Sequence, residues 1–311
     1  MKVPKIPDWV SSLSLNQAVQ SVVEDGVQIT SVMPSVHLIQ FCKCTVLVPI
    51  QVKVQLQEYT MKKLFFLLKA QHGSDIQAMV MNQLKMFQRE HQVYHSVLPK
   101  LEELYREVGK KVTFGPRAFR LDYSIGVQYV LLEDLKSKAY KNVERQAGFN
   151  KLCLKQVLKK LAQFHAASAV CVEKHGAFSN LLVNGVYTKA NESVLQELND
   201  PEIFLFQRHK TSPVDNMVQY YFYHLLDNLK ALNFRGSLPQ LQHIRDALNK
   251  NGLAAYVVVT RALPITMMNQ FEDEVNERYA SKMKCAMFTS RKYIQAMKDI
   301  LPWMEERSLL N

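Results

Sequence analysis

The sequence predicts an α+β protein with two lobes, in which an antiparallel sheet is followed by helices. The length of 311 residues is enough for two compact domains of ordinary size. Apolar and polar residues alternate in the first part of the chain, as they do in half-buried strands, whereas from Leu152 onward apolar residues recur with the period of a helix. We therefore assign residues 1–135 to an N-terminal lobe and residues 136–311 to a mainly helical C-terminal lobe.

The predicted sheet is built around a hairpin. The segment "QVKVQLQ" alternates from Val52 to Leu56, and the apolar segment "KLFFLLKA" follows a short polar turn. Two strands joined by so short a turn pair in antiparallel fashion. Two further strands are predicted in "KVTFGPRAFRL" and "QYVLLEDL", so the sheet extends over residues 40–135.

Helices are predicted from apolar stripes. One helix, from Ile76 to Val108, interrupts the sheet and has the stripe Val80, Leu84, Phe87, Tyr94 and Leu98. In the C-terminal lobe a stripe on one helix face consists of Leu154, Val157, Leu158, Leu161, His165 and Ser168. We interpret His165 as a packing residue of that stripe, because a single imidazole on an apolar face usually belongs to the core.

Composition favours a globular chain with anionic partners. Hydrophobic residues make up 48% and charged residues 22%, with only 10 Gly and 11 Pro. The excess of 39 Lys and Arg over 28 Asp and Glu gives a formal charge of +11, which attracts anions such as nucleotides. The basic residues are spread over several helices, so solvated helix faces explain most of them.

Targeting and cysteine patterns lead us to expect a cytoplasmic protein. The N-terminus has no apolar signal region, and no run of 18 apolar residues occurs that could span a membrane. The five cysteines lack the paired spacing of a zinc site, which fits a reducing compartment.

Lys69 and Glu90 are charged residues in apolar surroundings. Lys69 ends the apolar run that begins at Leu64, and Glu90 lies one helical turn from Phe87 and Tyr94 in the predicted stripe. An isolated buried charge is costly, so we expect the two side chains to pair. The alternative is that Lys69 reaches solvent at a strand end while Glu90 lies at the rim of its helix.

The strand "YVLLEDL" ends in acidic residues where the sheet gives way to helices. Such a position suits a hinge whose backbone groups hydrogen-bond an adenine. By itself the segment is also compatible with an ordinary strand exit.

Several long segments resemble the ecdysteroid-kinase-like family, also called CHK kinase-like, which is distantly related to choline kinases and aminoglycoside phosphotransferases. The segments are "MFQREHQVYHSVLPKLEELYREVGKKVTFGPRAF", "YVLLEDLKSKAY", "LKKLAQFHAASAV" and "DILPWMEERSLLN". The resemblance implies a protein-kinase-like two-lobe fold that uses ATP and Mg²⁺ to phosphorylate a hydroxyl of a small molecule, such as a steroid. It also implies the cofactor-binding residues: Lys69 matches the lysine that grips the phosphates, Glu90 its helix partner, and Glu133, Asp134 and Leu135 the hinge.

The sequence departs from the family at its catalytic centre. Family members have an HGD-type loop with an aspartate base and a DF-type motif whose aspartate holds magnesium, and neither motif is present. The segment "FQRHKTSP" stands in their place, so we predict an internal deletion near residues 206–215 and a shortened helical C-terminal lobe. We therefore assign no catalytic or metal-binding residue and expect a catalytically inactive kinase-like protein, since a positioned base alone contributes about 10² to 10⁴ in rate.

The nucleotide site departs from the family in a second place, and two other functions stay open. The segment "SVHLIQFCKCTVLV" has no glycine where the family has a glycine-containing loop between its first two strands. Side chains would obstruct main-chain contact with the phosphates there, so we expect residual or no affinity for ATP. An active ATP-dependent steroid phosphotransferase would need Asp200 or Asp215 as a substitute base and metal ligand. A basic module that binds an anionic partner would lose affinity steeply with salt, but nucleic acid is disfavoured because aromatic and basic residues are not interleaved.

Overall fold

A computed structural model describes residues 8–23, 27–36, 39–42, 45–56, 61–73, 76–140, 150–186, 191, 214–250, 289 and 291–306. The chain divides into two compact units. The first comprises Met1–Lys141 and Gly176–Pro201, and the second comprises Asn142–His175 and Glu202–Asn311. An antiparallel sheet lies in the first unit and long helices lie in the second, so the predicted α+β fold of the kinase-like type is confirmed. The lobe boundary after residue 135 stays a prediction.

Within the described residues, the sheet of the first unit has six strands, and every pair is antiparallel. The spatial order is β1-β3-β4-β6-β5, and β2 pairs with β3 beside this path. The strands are β1 (Ile29–Val36), β2 (Gln40–Cys42), β3 (Thr45–Leu56), β4 (Met61–Gln71), β5 (Ala118–Phe119) and β6 (Tyr129–Glu133).

The predicted hairpin is confirmed by the pairing of β3 with β4, in which Val52 lies opposite Leu64. The predicted start of the sheet near residue 40 is wrong, because β1 begins at Ile29. This strand contains Pro34 and has no regular alternation of buried residues, as is typical of a strand at a sheet edge. A search for alternating apolar and polar residues therefore does not detect it. The third predicted strand is present only as the two residues of β5.

One face of the sheet forms a core with the chain that precedes it. Alternate residues of β3 point inward, and the side chains from Val46 to Val54 in this alternation are at most 1% exposed. They pack with Leu15 and Val19 of the N-terminal segment, in and beside helix α1 (Asn16–Gln20). The N-terminal segment therefore forms one wall of this core.

The helix predicted from Ile76 to Val108 is wrong as a single element. It consists of α2 (Ile76–Gln83), α3 (Met86–Gln92), a π-turn (Val93–Val97) and α4 (Leu98–Glu107). Between α2 and α3, Lys85 has a left-handed φ of 52°, which ends the regular helix. The π-turn precedes Pro99, which lies in the first turn of α4. Because Pro99 has no N–H, it cannot complete a regular helical hydrogen bond.

In the second unit the helix α5 (Lys151–His175) packs against α7 (Val214–Ala231). A four-residue helix, α6 (Asn180–Val183), belongs to the first unit, and α8 (Leu241–Lys250) and α9 (Arg291–Glu306) belong to the second. Among the described residues, no helix is long and apolar enough to cross a membrane.

The buried face of α5 differs from the predicted stripe. Its fully buried residues are small, namely Ala162, Ala166, Ala167 and Val170. Val157 and Leu161 of the predicted stripe are 44% and 40% exposed, and His165 is exposed rather than packed in a core. The Nδ1 atom of His165 lies 2.6 Å from the hydroxyl of Tyr221 on α7, so it forms a polar link between the two helices.

Candidate functional site

Lys69 lies near the end of β4, in the middle of the sheet. It is opposite Leu47 on β3 and Val130 on β6, so strands flank it on both sides. Its neighbours Leu68 and Ala70 point into the core and are fully buried. Because successive strand residues point to opposite faces, the ammonium of Lys69 lies on the other face of the sheet.

Glu90 meets Lys69 from helix α3. The Nζ atom of Lys69 lies 2.7 Å from Oε2 of Glu90, and the two side chains are 29% and 27% exposed. The predicted pairing is therefore confirmed, and the alternative in which both charges are directed separately to solvent is wrong. At this exposure the pair is partly desolvated and still accessible to a ligand.

Phe87 holds α3 against the sheet. Its ring packs on Val130 and Leu132 of β6, and its centroid lies 5.7 Å from Nζ of Lys69. This distance allows a cation–π attraction. Phe87 therefore supports the helix that carries Glu90 and also contacts the charge that Glu90 binds.

Tyr94 lies one turn beyond Glu90. Burial raises the pKa of the Tyr94 phenol above its ordinary value, and the negative charge of Glu90 raises it further. The phenol is therefore neutral at physiological pH. Its hydroxyl therefore adds no negative charge beside Lys69.

The predicted hinge residues lie together where β6 ends. The carboxylate of Glu133 pairs with Lys138 at 2.6 Å, and the carboxylate of Asp134 accepts a hydrogen bond of 2.9 Å from the backbone N–H of Lys136. The backbone N–H of Asp134 donates to the carbonyl of Phe65 at 3.1 Å. This segment therefore forms a capped 3₁₀ turn that begins at Leu135.

The spacing between hinge and lysine is set by the strand register. Glu133 lies opposite Phe66, and Val130 lies opposite Lys69. Three strand residues correspond to about 10 Å. That separation is comparable with the distance between the base and the phosphates of a nucleotide.

The structure does not test the predicted substitute residues for catalysis. Asp200 lies outside the described residues, as does most of the predicted deletion near residues 206–215. Asp215 lies in α7, in the second unit. Among the residues that the structure describes, no group of three or more His, Cys, Asp or Glu could hold a metal ion.

Arg89, beside Glu90, is a residue that the sequence did not single out. Its guanidinium donates hydrogen bonds to the carbonyl oxygens of Leu84, Leu181 and Asn184. The last two acceptors are more than 90 residues away in the chain. No local pattern in the sequence indicates partners at that distance.

The family assignment follows from a match that spans this site. The family model described as "Ecdysteroid kinase-like family" matches residues 43–210, which is more than half of the chain. The chain belongs to the ecdysteroid kinase-like family. No curated protein and no solved structure matches it.

The range matched by the ecdysteroid kinase-like family contains Lys69, Glu90 and the hinge residues Glu133, Asp134 and Leu135. It ends at residue 210, within the segment where the deletion is predicted. Kinase-like families generally use ATP and Mg²⁺. The roles of these five residues in binding a cofactor stay predictions for this chain.

Proposed function

We propose that this chain binds the phosphates of ATP through Lys69 and does not transfer the phosphoryl group. The observation that supports nucleotide binding is the 2.7 Å contact between Lys69 and Glu90 on the face of the sheet opposite the core. A strand lysine held by a helix glutamate is the arrangement that kinases use to grip a nucleotide.

The geometry of the pair suits an anion. An ammonium group has three donors, and Glu90 accepts one of them. Within the described part of the chain no residue accepts the other two, which can donate to phosphate oxygens. Charge-assisted hydrogen bonds of this kind are stronger than neutral ones. Because Glu90 also fixes the direction of Lys69, less side-chain freedom is lost when a phosphate binds.

The base of the nucleotide would lie toward Glu133, Asp134 and Leu135. Between the hinge and Lys69 the same sheet face presents Leu67 and, on β3, Pro49, which lie directly opposite each other. Apolar side chains here give the flat face of a purine a surface to contact.

The proposed inactivity rests on the missing HGD-type and DF-type motifs. Bound magnesium would neutralise charge on the transferring phosphoryl group, which contributes several kcal/mol. Lys69 can orient a phosphate, but an ammonium cannot accept the proton of an attacking hydroxyl. A small hydroxylated molecule such as a steroid would therefore bind without being phosphorylated.

A cytoplasmic location is part of the proposal, and cell fractionation tests it.

The test combines binding with turnover. The dissociation constant of a fluorescent ATP analogue is measured for the wild type, for Lys69→Met and for the control Lys63→Met, an exposed lysine on the same strand and face. We expect the Lys69 variant to bind at least about 10-fold more weakly and the control to bind like the wild type.

One result would contradict the proposed nucleotide binding, and another would contradict the proposed inactivity. If the wild type and Lys69→Met bind the analogue equally, nucleotide gripping by Lys69 is wrong. If the wild type converts Mg²⁺-ATP and a hydroxylated steroid from a test panel into a phosphorylated product and Lys69→Met does not, the chain is an active phosphotransferase.

A further inference from the structure

A short segment after α5 is attached to α3 on both sides of Glu90. We call residues 179–184 the strap. The hydroxyl of Ser179 donates to the side-chain carbonyl of Gln92 at 2.8 Å. The guanidinium of Arg89 donates to the backbone carbonyls of Leu181 and Asn184. Both ends of the strap are therefore bound to side chains of α3 that flank Glu90.

Arg89 also crosses the break between α2 and α3. Its Nε atom donates to the carbonyl of Leu84 at 2.9 Å, directly before the left-handed Lys85. Its Nη1 atom donates to the carbonyl of Asn184 at 2.8 Å. A single guanidinium thus joins the end of α2 to the strap and restrains α3 at the point where the helix is interrupted.

Phe87 keeps α3 close to the sheet, but its packing does not by itself fix the rotation of the helix about its axis. Phe87 is only 3% exposed and packs on β6, which keeps the helix close to the sheet. Contact between apolar groups has little directional preference, whereas hydrogen bonds from a charged donor are both strong and directional. Arg89 is adjacent to Glu90, so rotating one about the helix axis rotates the other.

We propose that the strap, acting through Arg89, sets the orientation of α3 and thereby controls whether Glu90 meets Lys69. The inference rests on the proposed function insofar as it concerns nucleotide affinity. In kinases the Lys–Glu pair must be in place for the phosphates to be held, and the position of the helix controls it. Arg89 is a positioning residue. Displacing the strap would separate Glu90 from Lys69 and weaken the binding of phosphates by Lys69.

The first test does not depend on a nucleotide. The rate at which an amine-acylating reagent modifies Lys69 is followed by mass spectrometry in the wild type, in Arg89→Met and in Arg106→Met. Arg106 is an exposed arginine on α4 that pairs with Glu103, so its variant is a matched control. We expect acylation of Lys69 to accelerate about 5-fold or more in Arg89→Met, partly in Arg89→Lys and not in Arg106→Met.

The second test uses the fluorescent ATP analogue. We expect Arg89→Met to weaken binding about 5-fold or more in the wild-type background and to have no further effect in Lys69→Met, because the two residues act on one grip. A residue that only supports the fold would weaken binding equally in both backgrounds. Hydrogen exchange of β3 and β4 should be unchanged in Arg89→Met, while the amides of Val183 and Asn184 exchange faster.

The outcomes separate this inference from the proposed function. Unchanged acylation of Lys69 in Arg89→Met overturns the control by the strap, whatever the nucleotide result. Absence of Lys69-dependent binding in the wild type overturns the proposed function alone, because accelerated acylation would still support the positioning role.

Discussion

The carboxylate of Asp122 accepts a hydrogen bond of 2.8 Å from the backbone N–H of Gln17, although 105 residues separate the two positions. The same carboxylate accepts from the backbone N–H of Asn16 at 3.0 Å and from the hydroxyl of Ser14. It therefore caps α1 from the loop that precedes β6. This contact holds the N-terminal segment against the sheet, and the segment in turn covers the core of that sheet.

Replacing Asp122 with Asn should lower the free energy of unfolding at pH 7 by about 1 kcal/mol, because the amide keeps one acceptor oxygen, loses the charge, and turns its NH2 group toward N–H and O–H donors. Burial alone raises the pKa of Asp122, but hydrogen bonds from Gln17, Ser14 and Asn16 more than offset this and leave the pKa below its ordinary value. A carboxyl with a lowered folded pKa stabilises above its unfolded pKa, and this contribution disappears as the pH falls through the folded pKa.

The measurement is urea unfolding of the wild type and Asp122→Asn at pH 7 and again below pH 3. The difference between them should shrink at the lower pH. Asp227→Asn, which changes an exposed carboxylate on α7, is the control and should differ little from the wild type at either pH. A difference for Asp122→Asn that persists undiminished in acid would contradict the capping role.

His95 should make the protein less stable in mild acid. Its pKa is lowered from 6.5 to about 4, first by burial and then by the neighbouring His91 and Arg120; the centroids of the His91 and His95 rings are 4.2 Å apart. The unfolded chain binds the proton between pH 6.5 and 4 and the folded protein does not, so stability falls as the pH decreases through this range. Since the ring is partly exposed, we expect a loss of about 1 kcal/mol.

Chemical unfolding at pH 7 and pH 4.5 measures this effect. His95→Gln should reduce the pH dependence, and His175→Gln, at the exposed end of α5, should leave it as in the wild type. Equal pH dependence in all three proteins would refute the prediction, and an NMR titration of the His95 ring reports its pKa directly.

Phe87→Ala should lower the free energy of unfolding by about 3 kcal/mol, because it leaves a cavity against Val130 and Leu132. Met79→Ala on the preceding helix is the matched control, since Met79 is 58% exposed, and its effect should be within about 0.5 kcal/mol. Denaturant unfolding of both variants checks the prediction. Equal effects would show that α3 does not depend on the ring of Phe87.

The double variant Val157→Glu and Leu161→Glu should reduce aggregation on heating and the binding of a hydrophobic dye. These side chains are 44% and 40% exposed on α5, and exposed apolar groups promote association. The free energy of unfolding should change by only about 0.5 kcal/mol. Val170→Glu, at a position with 0% exposure, should instead abolish folding of the helix pair. A loss of more than about 2 kcal/mol in the double variant would show that this face is covered in solution.

The sequence predicted the features that depend on neighbouring residues or on the cost of an isolated charge. The hairpin follows from alternation on β3 and a short turn before β4. The pair of Lys69 and Glu90 follows from the cost of placing either charge alone in apolar surroundings. Both features are present in the structure.

Other features depend on partners that are distant in the chain. The helix break at Lys85 has no glycine or proline to mark it, and the apolar period continues through it. The buried face of α5 is formed by small alanines because α7 approaches there, whereas local hydrophobicity favours Val157 and Leu161. Arg89 cannot be recognised because two of its three acceptors, Leu181 and Asn184, lie after α5.

The N-terminal segment covers one side of the sheet core, so a protein product that lacks this segment should be unstable. A transcript translated from Met33, the first methionine after Val23, would encode β2 to β6 and the Lys69–Glu90 pair but would lack Leu15, Val19 and the first half of β1. Its β3 valines would face water, so such an isoform would be cleared by proteolysis rather than accumulate as a minimal domain.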